Sequence, residues 1–83
     1  MSAEPLSGAV PDVVRAAIAE EVRAYMARRR LSQMALADRT GISSSTLSRR
    51  LLGESDFTVG ELYRIAQVLG TDLVTLLGTK ASA

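Results

Sequence analysis

The 83-residue sequence contains neither cysteine nor histidine. Without cysteine there is no disulfide and no thiolate metal site. Without histidine the commonest general base, metal ligand and pH switch is missing as well. Aromatic residues are scarce (Tyr25, Phe57 and Tyr63), so any core must rest on Leu, Val, Ile and Ala. Such a core suits packed helices better than a β-sandwich. No apolar run approaches the roughly 20 residues that a membrane span needs. The opening residues MSAEPLSGAVP have no basic n-region and no long apolar h-region, so they do not have the build of a secretory signal, and a cytoplasmic protein is expected. The acids are scattered, and no glycine-rich phosphate loop or metal-ligand spacing occurs. Nothing here resembles a catalytic constellation. The expectation is a protein that is not an enzyme, has no metal or cofactor, and shows no evident small-molecule ligand.

What is present is enough apolar material, 47% of the residues, for one small domain. The net charge of +1 conceals a strong polarity. Between residues 23 and 50, seven arginines (23, 28, 29, 30, 39, 49 and 50) face one acid, Asp38, for a local charge of +6. The rest of the chain sums to −5. Such asymmetry suggests a polyanion on one side, although a merely solvated basic surface would give the same count.

Periodicity and capping signals divide the chain into five helices. Val14, Ile18, Val22, Tyr25 and Met26 form one apolar stripe on a first helix over roughly residues 12 to 30, with Asp12 placed to cap its start. Ser32 is a good N-cap for a second helix from Gln33 to about Thr40, and Gly41 stands where a C-terminal glycine belongs. Ser43 caps a third helix that Gly53 closes. Thr58 and Glu61 have capping-box spacing, with Phe57 and Leu62 placed as a hydrophobic staple. Leu62, Ile65, Ala66 and Leu69 make the core face of this fourth helix, and Gly70 ends it. Asp72 or Thr71 caps a last short helix through Leu77. Residues 1–11 are expected to be disordered, 12–78 to form the domain, and 79–83 to be a short tail.

One stretch runs against helical propensity. GISSSTLSRR, residues 41–50, carries five hydroxyl residues and two arginines around Leu47, yet both flanks read as well-formed helix. A three-residue turn, Gly41-Ile42-Ser43, joins the second and third helices, which is the helix-turn-helix plan. The segment SQMALADRTGISSSTLSRRLLG resembles the DNA-binding motif of the phage-repressor family (the Cro/CI, or XRE-type, helix-turn-helix proteins). FTVGELYRIAQVLGTDLVTLL is similar to that family's fourth and fifth helices. The resemblance covers about residues 20 to 78 and implies an all-α, five-helix lambda-repressor-like domain.

It also implies a function: a transcriptional regulator, specifically a repressor of phage or bacterial type. Such a protein binds double-stranded DNA as a homodimer on a pseudo-palindrome, with the third helix, about 44–52, in the major groove. It would be DNA-associated in the cell. The residues themselves agree. Leu47 and Leu51, four apart, can anchor the helix to the core, leaving Ser44, Ser45, Ser48 and Arg49 outward. Short hydroxyls allow close approach to base edges, and Arg49 can reach guanine O6 and N7. In the family, residues matching Ser44, Ser45 and Arg49 read bases, with Ser48 further along the same face. The residue matching Gln33 holds a phosphate. Ser32, Ser43, Arg50 and Arg28 are further phosphate candidates. Arg28, Arg29 and Arg30 could equally serve the dipole of the first helix, and Arg39 is expected to be solvated.

Where relatives pair an Arg in the first helix with a Glu late in the third, this chain has Met26 and Leu51, which should pack together. Leu52 occupies a position often polar in relatives, and Glu54 and Asp56 follow where a basic residue is often found. The first helix also starts about two turns earlier than is usual, so Val13, Val14, Ala17 and Ile18 either cover the core or form an interface. Leu73, Val74, Leu76 and Leu77 are the candidate dimer surface, the alternative being that all four complete the core. A different class of function remains in view: an antitoxin-like or other protein-interaction module on the same fold.

Overall fold

The computed structural model describes residues 10–77. The expectations for residues 1–9 and 78–83 lie outside these. Five helices follow one another: α1 (Asp12–Arg29), α2 (Gln33–Thr40), α3 (Ser44–Leu51), α4 (Val59–Leu69) and α5 (Leu73–Leu76). All five contribute to one apolar cluster. It is built from Ile18, Val22 and Met26 of α1, Leu36 of α2, Leu47 and Leu51 of α3, Leu62, Ile65 and Leu69 of α4, and Leu76 of α5. Val22, Leu36, Leu47, Ile65, Leu69 and Leu76 are fully buried, each contributing about 1.5–3 kcal/mol of hydrophobic stabilisation. That shared core, rather than propensity, holds the hydroxyl-rich α3 in helical form.

The helix ends follow local chemistry closely. Ser32 Oγ accepts from the Ala35 amide at 3.1 Å, and Ser43 Oγ from Thr46 at 3.2 Å. The capping box of α4 is complete: Glu61 N donates to Thr58 Oγ1 and Thr58 N to Glu61 Oε1. Phe57 packs against the core cluster that contains Leu62. Asp72 caps α5 by accepting from Thr75 N at 2.8 Å, and this bond is the main reason its carboxyl is held below its usual range.

α1 covers the expected span, but its first turn is capped differently. Pro11 occupies the N-cap, and Asp12 is the first helical residue with no capping bond. Its carboxylate instead accepts from Arg15 Nη1 at 2.7 Å. At the other end the helix stops at Arg29, because Arg30 turns left-handed at φ 53°. The amides of Arg30 and Leu31 then bond back to Ala27 and Met26, the closure that glycine usually makes.

The early turns of α1 serve mainly the core. Ile18 is buried, and Val14 packs partly against the cluster, while Val13 is exposed. They are also tied to the loop before α4, since Arg15 Nε donates to Asp56 Oδ1 at 2.5 Å, while Arg15 Nη2 donates to the Val10 carbonyl just ahead of the helix. The bond from Arg15 leads the effects that hold the Asp56 carboxyl below its ordinary value. Met26 and Leu51 are both buried in the one cluster and line the same cleft between α1 and α3.

Candidate nucleic-acid interface

The turn between α2 and α3 is fixed from two sides. Thr40 is buried, and its hydroxyl donates to the Leu36 carbonyl at 2.7 Å while accepting from the Ile42 amide at 3.3 Å. Gly41 takes the left-handed conformation at φ 78°. Across the domain Arg64 Nη1 donates to the Thr40 carbonyl at 3.0 Å, so a side chain from α4 satisfies the C-terminus of α2.

With the turn fixed, the rotation of about 100° per residue decides what α3 presents. Leu47 and Leu51 enter the core. Ser45 and Arg49 are exposed on the opposite side, Ser44 is exposed at the start of the helix, and Ser48 is half-buried at the edge of that face. The helix has no acidic residue. Ser32 and Ser43 are exposed at the starts of α2 and α3, respectively. Their oxygens accept in caps, which leaves each hydroxyl hydrogen free to donate outward. Gln33 is also exposed at the start of α2.

The basic side chains divide into two groups. Arg50 is turned inward to the protein, not toward a ligand. Nε and Nη2 hold Glu61 at 2.9 and 3.1 Å, and Nη1 donates to Ser55 Oγ at 2.7 Å. Its expected phosphate role is therefore corrected: all three guanidinium nitrogens are engaged in tying the end of α3 to the start of α4. Burial alone would push the Glu61 carboxyl up. The Arg50 bonds, the Thr58 amide and the charges of Arg50 and Arg64 outweigh it and hold the group below its usual range. The same bond raises the Arg50 pKa further.

Arg64 and Arg15 are likewise engaged within the fold, and Arg23 Nη1 donates to the Leu51 carbonyl at the end of α3. Arg29 lies over Gly70 at the end of α4, where an added Cβ would stand 2.6 Å from Nη2. Arg28 rests its guanidinium 4.7 Å from the centre of the Tyr25 ring; it is exposed, as are Arg30, Arg39 and Arg49. The acids after α3 separate too, Asp56 being paired with Arg15 while Glu54 is exposed. Leu52 is 68% exposed.

The apolar residues at the C-terminal end also part company. Leu76 is fully buried, which removes it from the expected dimer surface, because the core of its own chain uses all of it. Leu73 packs partly against the core, whereas Val74 and Leu77 are 72% and 45% exposed.

Among the described residues no group of three His, Cys, Asp or Glu could hold a metal ion. None of their helices is long and apolar enough to cross a membrane.

Sequence reasoning missed Thr40, Arg64 and Arg23 as the residues that position the motif. Thr40 carried a signal, a hydroxyl three residues before the N-cap of α3, but the carbonyl partners of the two arginines lie 24 and 28 residues away.

Comparison with known proteins agrees with this geometry. The chain is similar in structure to an HTH_3 family transcriptional regulator from Vibrio cholerae, with a TM-score of 0.76 and 27% identity over 86% of this chain. This chain spans 40% of the length of that protein. It shares the fold of a hypothetical transcription factor, NHTF, from Neisseria, with a TM-score of 0.76 and 21% identity over 94% of this chain and 92% of that one. No curated protein matches the sequence. The profile of the HTH_3 helix-turn-helix family matches residues 22–76, well over half of the chain, and the protein belongs to that family.

Proposed function

We propose that this chain is a sequence-specific double-stranded DNA-binding regulator of transcription, a repressor that places α3 in the major groove. The observation that carries the reading is the outward face of α3. It presents Ser45 and Arg49, with Ser44 exposed at the helix start, free of acid, on a helix anchored to the core by Leu47 and Leu51. Short hydroxyls let the helix sink toward base edges, and Arg49 supplies the one side chain with the reach and fork for a guanine. Gln33, Ser32, Ser43 and Arg28, all exposed, would take phosphates, which fix register without reading sequence. Two copies acting through the exposed Val74 and Leu77, with Leu73 beside them, would present two such faces to a pseudo-palindrome whose half-sites lie about one helical turn, ~34 Å, apart.

Selection of bound duplexes from a random DNA pool, at a fixed and stated salt concentration, tests this. A recovered motif with two-fold symmetry is the expected result, and its spacing gives the dimer geometry. Recovery of no motif would overturn the reading in favour of a protein-interaction module whose basic face binds DNA without selection.

A further inference from the structure

Beside the base-reading face lies a cleft of about 440 Å³ between three helices, lined by Arg23 and Met26 of α1, Gln33 of α2, and Ser48, Leu51 and Leu52 at the end of α3. Met26, Leu51 and Leu52 make its walls partly apolar, and its polar groups come one from each helix. Arg23 is the cation. One of its nitrogens, Nη1, donates to the Leu51 carbonyl, which ties the guanidinium to the end of α3 beside the cleft that Arg23 lines. Among the described residues Arg23 has no acidic partner, in contrast to Arg15 and Arg50. Arg23 is exposed, and its guanidinium retains donors beyond the one that Leu51 uses.

We propose that this cleft is a seat for a single DNA backbone phosphate, with Arg23 as the residue that neutralises it and Gln33 and Ser48 as neutral donors on either side. This deepens the DNA-binding reading given above and rests on it. Three features favour a phosphate over a base edge. A cation held by one arm with other donors free suits a tetrahedral oxyanion, for which two N–H groups of one guanidinium can serve together. The donors converge from three separate elements, so the seat would fix the relative height of α1, α2 and α3 on the duplex, the positioning role of backbone contacts. Leu52, exposed at the rim, offers no donor of its own, so the charge at this edge of the motif must come from Arg23. The seat also explains why Met26 and Leu51 tolerate being apolar together beneath it: the site's charge is supplied from one helical turn earlier, at position 23.

The test uses the full chain and the duplex recovered by selection. Replacing single phosphates of that duplex with neutral methylphosphonates should locate one position per half-site at which the unaltered protein binds about tenfold more weakly. In Arg23→Gln that position should become insensitive, the affinity for the unmodified duplex should fall by a similar factor, and base preference should not change. For a variant that neutralises one phosphate fewer per half-site, the slope of log affinity against log salt should shrink by about 0.9 for each lost contact. A role confined to closing the end of α3 would lower thermal stability but leave the methylphosphonate pattern and the salt slope as they were, and that result overturns the proposal. Should Arg23→Gln fail to fold, the Arg23 Nε–H resonance of the unaltered protein decides. It should shift on binding the unmodified duplex and stay in place when the identified phosphate is a methylphosphonate. An equal shift with both duplexes overturns the seat. If selection recovers no duplex at all, the DNA-binding reading falls first and this seat falls with it. If a duplex is recovered but the Arg23 readouts do not move, only the seat falls.

Discussion

The guanidinium of Arg50 grips the carboxylate of Glu61 with two nitrogens, at 2.9 and 3.1 Å. The pair joins the end of α3 to the first turn of α4, where Glu61 also accepts from the Thr58 amide. The two side chains are only 18% and 12% exposed. Removing one partner therefore strands the other out of water. Arg50→Ala should cost roughly 2–3 kcal/mol in urea unfolding, below the range for deeply buried pairs because the site is at the domain edge.

The same pair sets a pH dependence with a definite sign. The folded-state pKa of Glu61 lies below its reference value of 4.5. Its contribution to stability is therefore present in full above pH ~4.5 and is lost as the pH falls through the folded value. In Arg50→Met the burial of Glu61 would no longer be offset by the guanidinium. The Glu61-linked loss on acidification should then shrink or reverse, so the stability gap between Arg50→Met and the unaltered protein should narrow as the pH falls. Unfolding midpoints measured in steps between about pH 3 and 7 check this, and a gap that stays constant over that range would refute it.

This pair also marks where sequence reading stops. Every cap made by residues three apart was legible: Ser32 with Ala35, Ser43 with Thr46, Thr58 with Glu61 and Asp72 with Thr75. The inward stripe of α4 was legible for the same reason, since helical periodicity alone places Leu62, Ile65 and Leu69 together. The duties of the arginines were not. Arg15, Arg23, Arg50 and Arg64 find their partners 11 to 41 residues away, and only tertiary packing decides which cations turn inward. A charge count over residues 23–50 treats Arg50 and Arg49 alike, yet adjacent positions on a helix point about 100° apart. The start of α1 was misjudged because Pro11 and Asp12 both suit the first turn, and the pattern could not say which one lies inside it.

The end of α1 offers a third prediction. Arg30 holds φ at 53°, and it is the one non-glycine residue with positive φ among the described residues. A left-handed conformation costs an ordinary residue roughly 1–2 kcal/mol, whereas glycine adopts it freely at the cost of more entropy lost on folding. Arg30→Gly should on balance stabilise by about 0.5–1 kcal/mol, and β-branched Arg30→Val should destabilise. Thermal melts of the two variants should move in opposite directions from the unaltered protein. Equal and small shifts would mean that the turn relaxes around whatever residue it holds.

For the outward face of α3, the informative quantity is how loss of affinity is distributed over sequences. Arg49→Ala should weaken binding by about 1–3 kcal/mol and relax preference at one base position. Gln33→Ala should weaken binding to all sequences alike, since a phosphate carries no sequence information. Competition against a set of singly altered duplexes separates the two patterns. An Arg49→Ala protein with unchanged affinity and preference would mean that α3 meets the groove in a different rotation.

The exposed ends of α5 make the dimer testable apart from folding. Leu76 has no accessible surface and belongs to the core. Leu76→Ala should therefore cost about 2–5 kcal/mol of stability. Val74 and Leu77 project outward from the same short helix. A charged residue at Val74, 72% exposed, should leave stability within about 0.5 kcal/mol in a monomeric state, and one at Leu77, 45% exposed, should cost somewhat more. If these two residues meet a second copy, Val74→Glu with Leu77→Glu should abolish self-association in sedimentation equilibrium. Operator binding would then require higher protein concentration and lose its steepness, because assembly on DNA would no longer be assisted by contacts between copies. A double variant that still sediments as a dimer, folded and binding as before, would place the two-fold contact on another surface. The exposed Val59 and Tyr63 of α4 would be the next positions to alter.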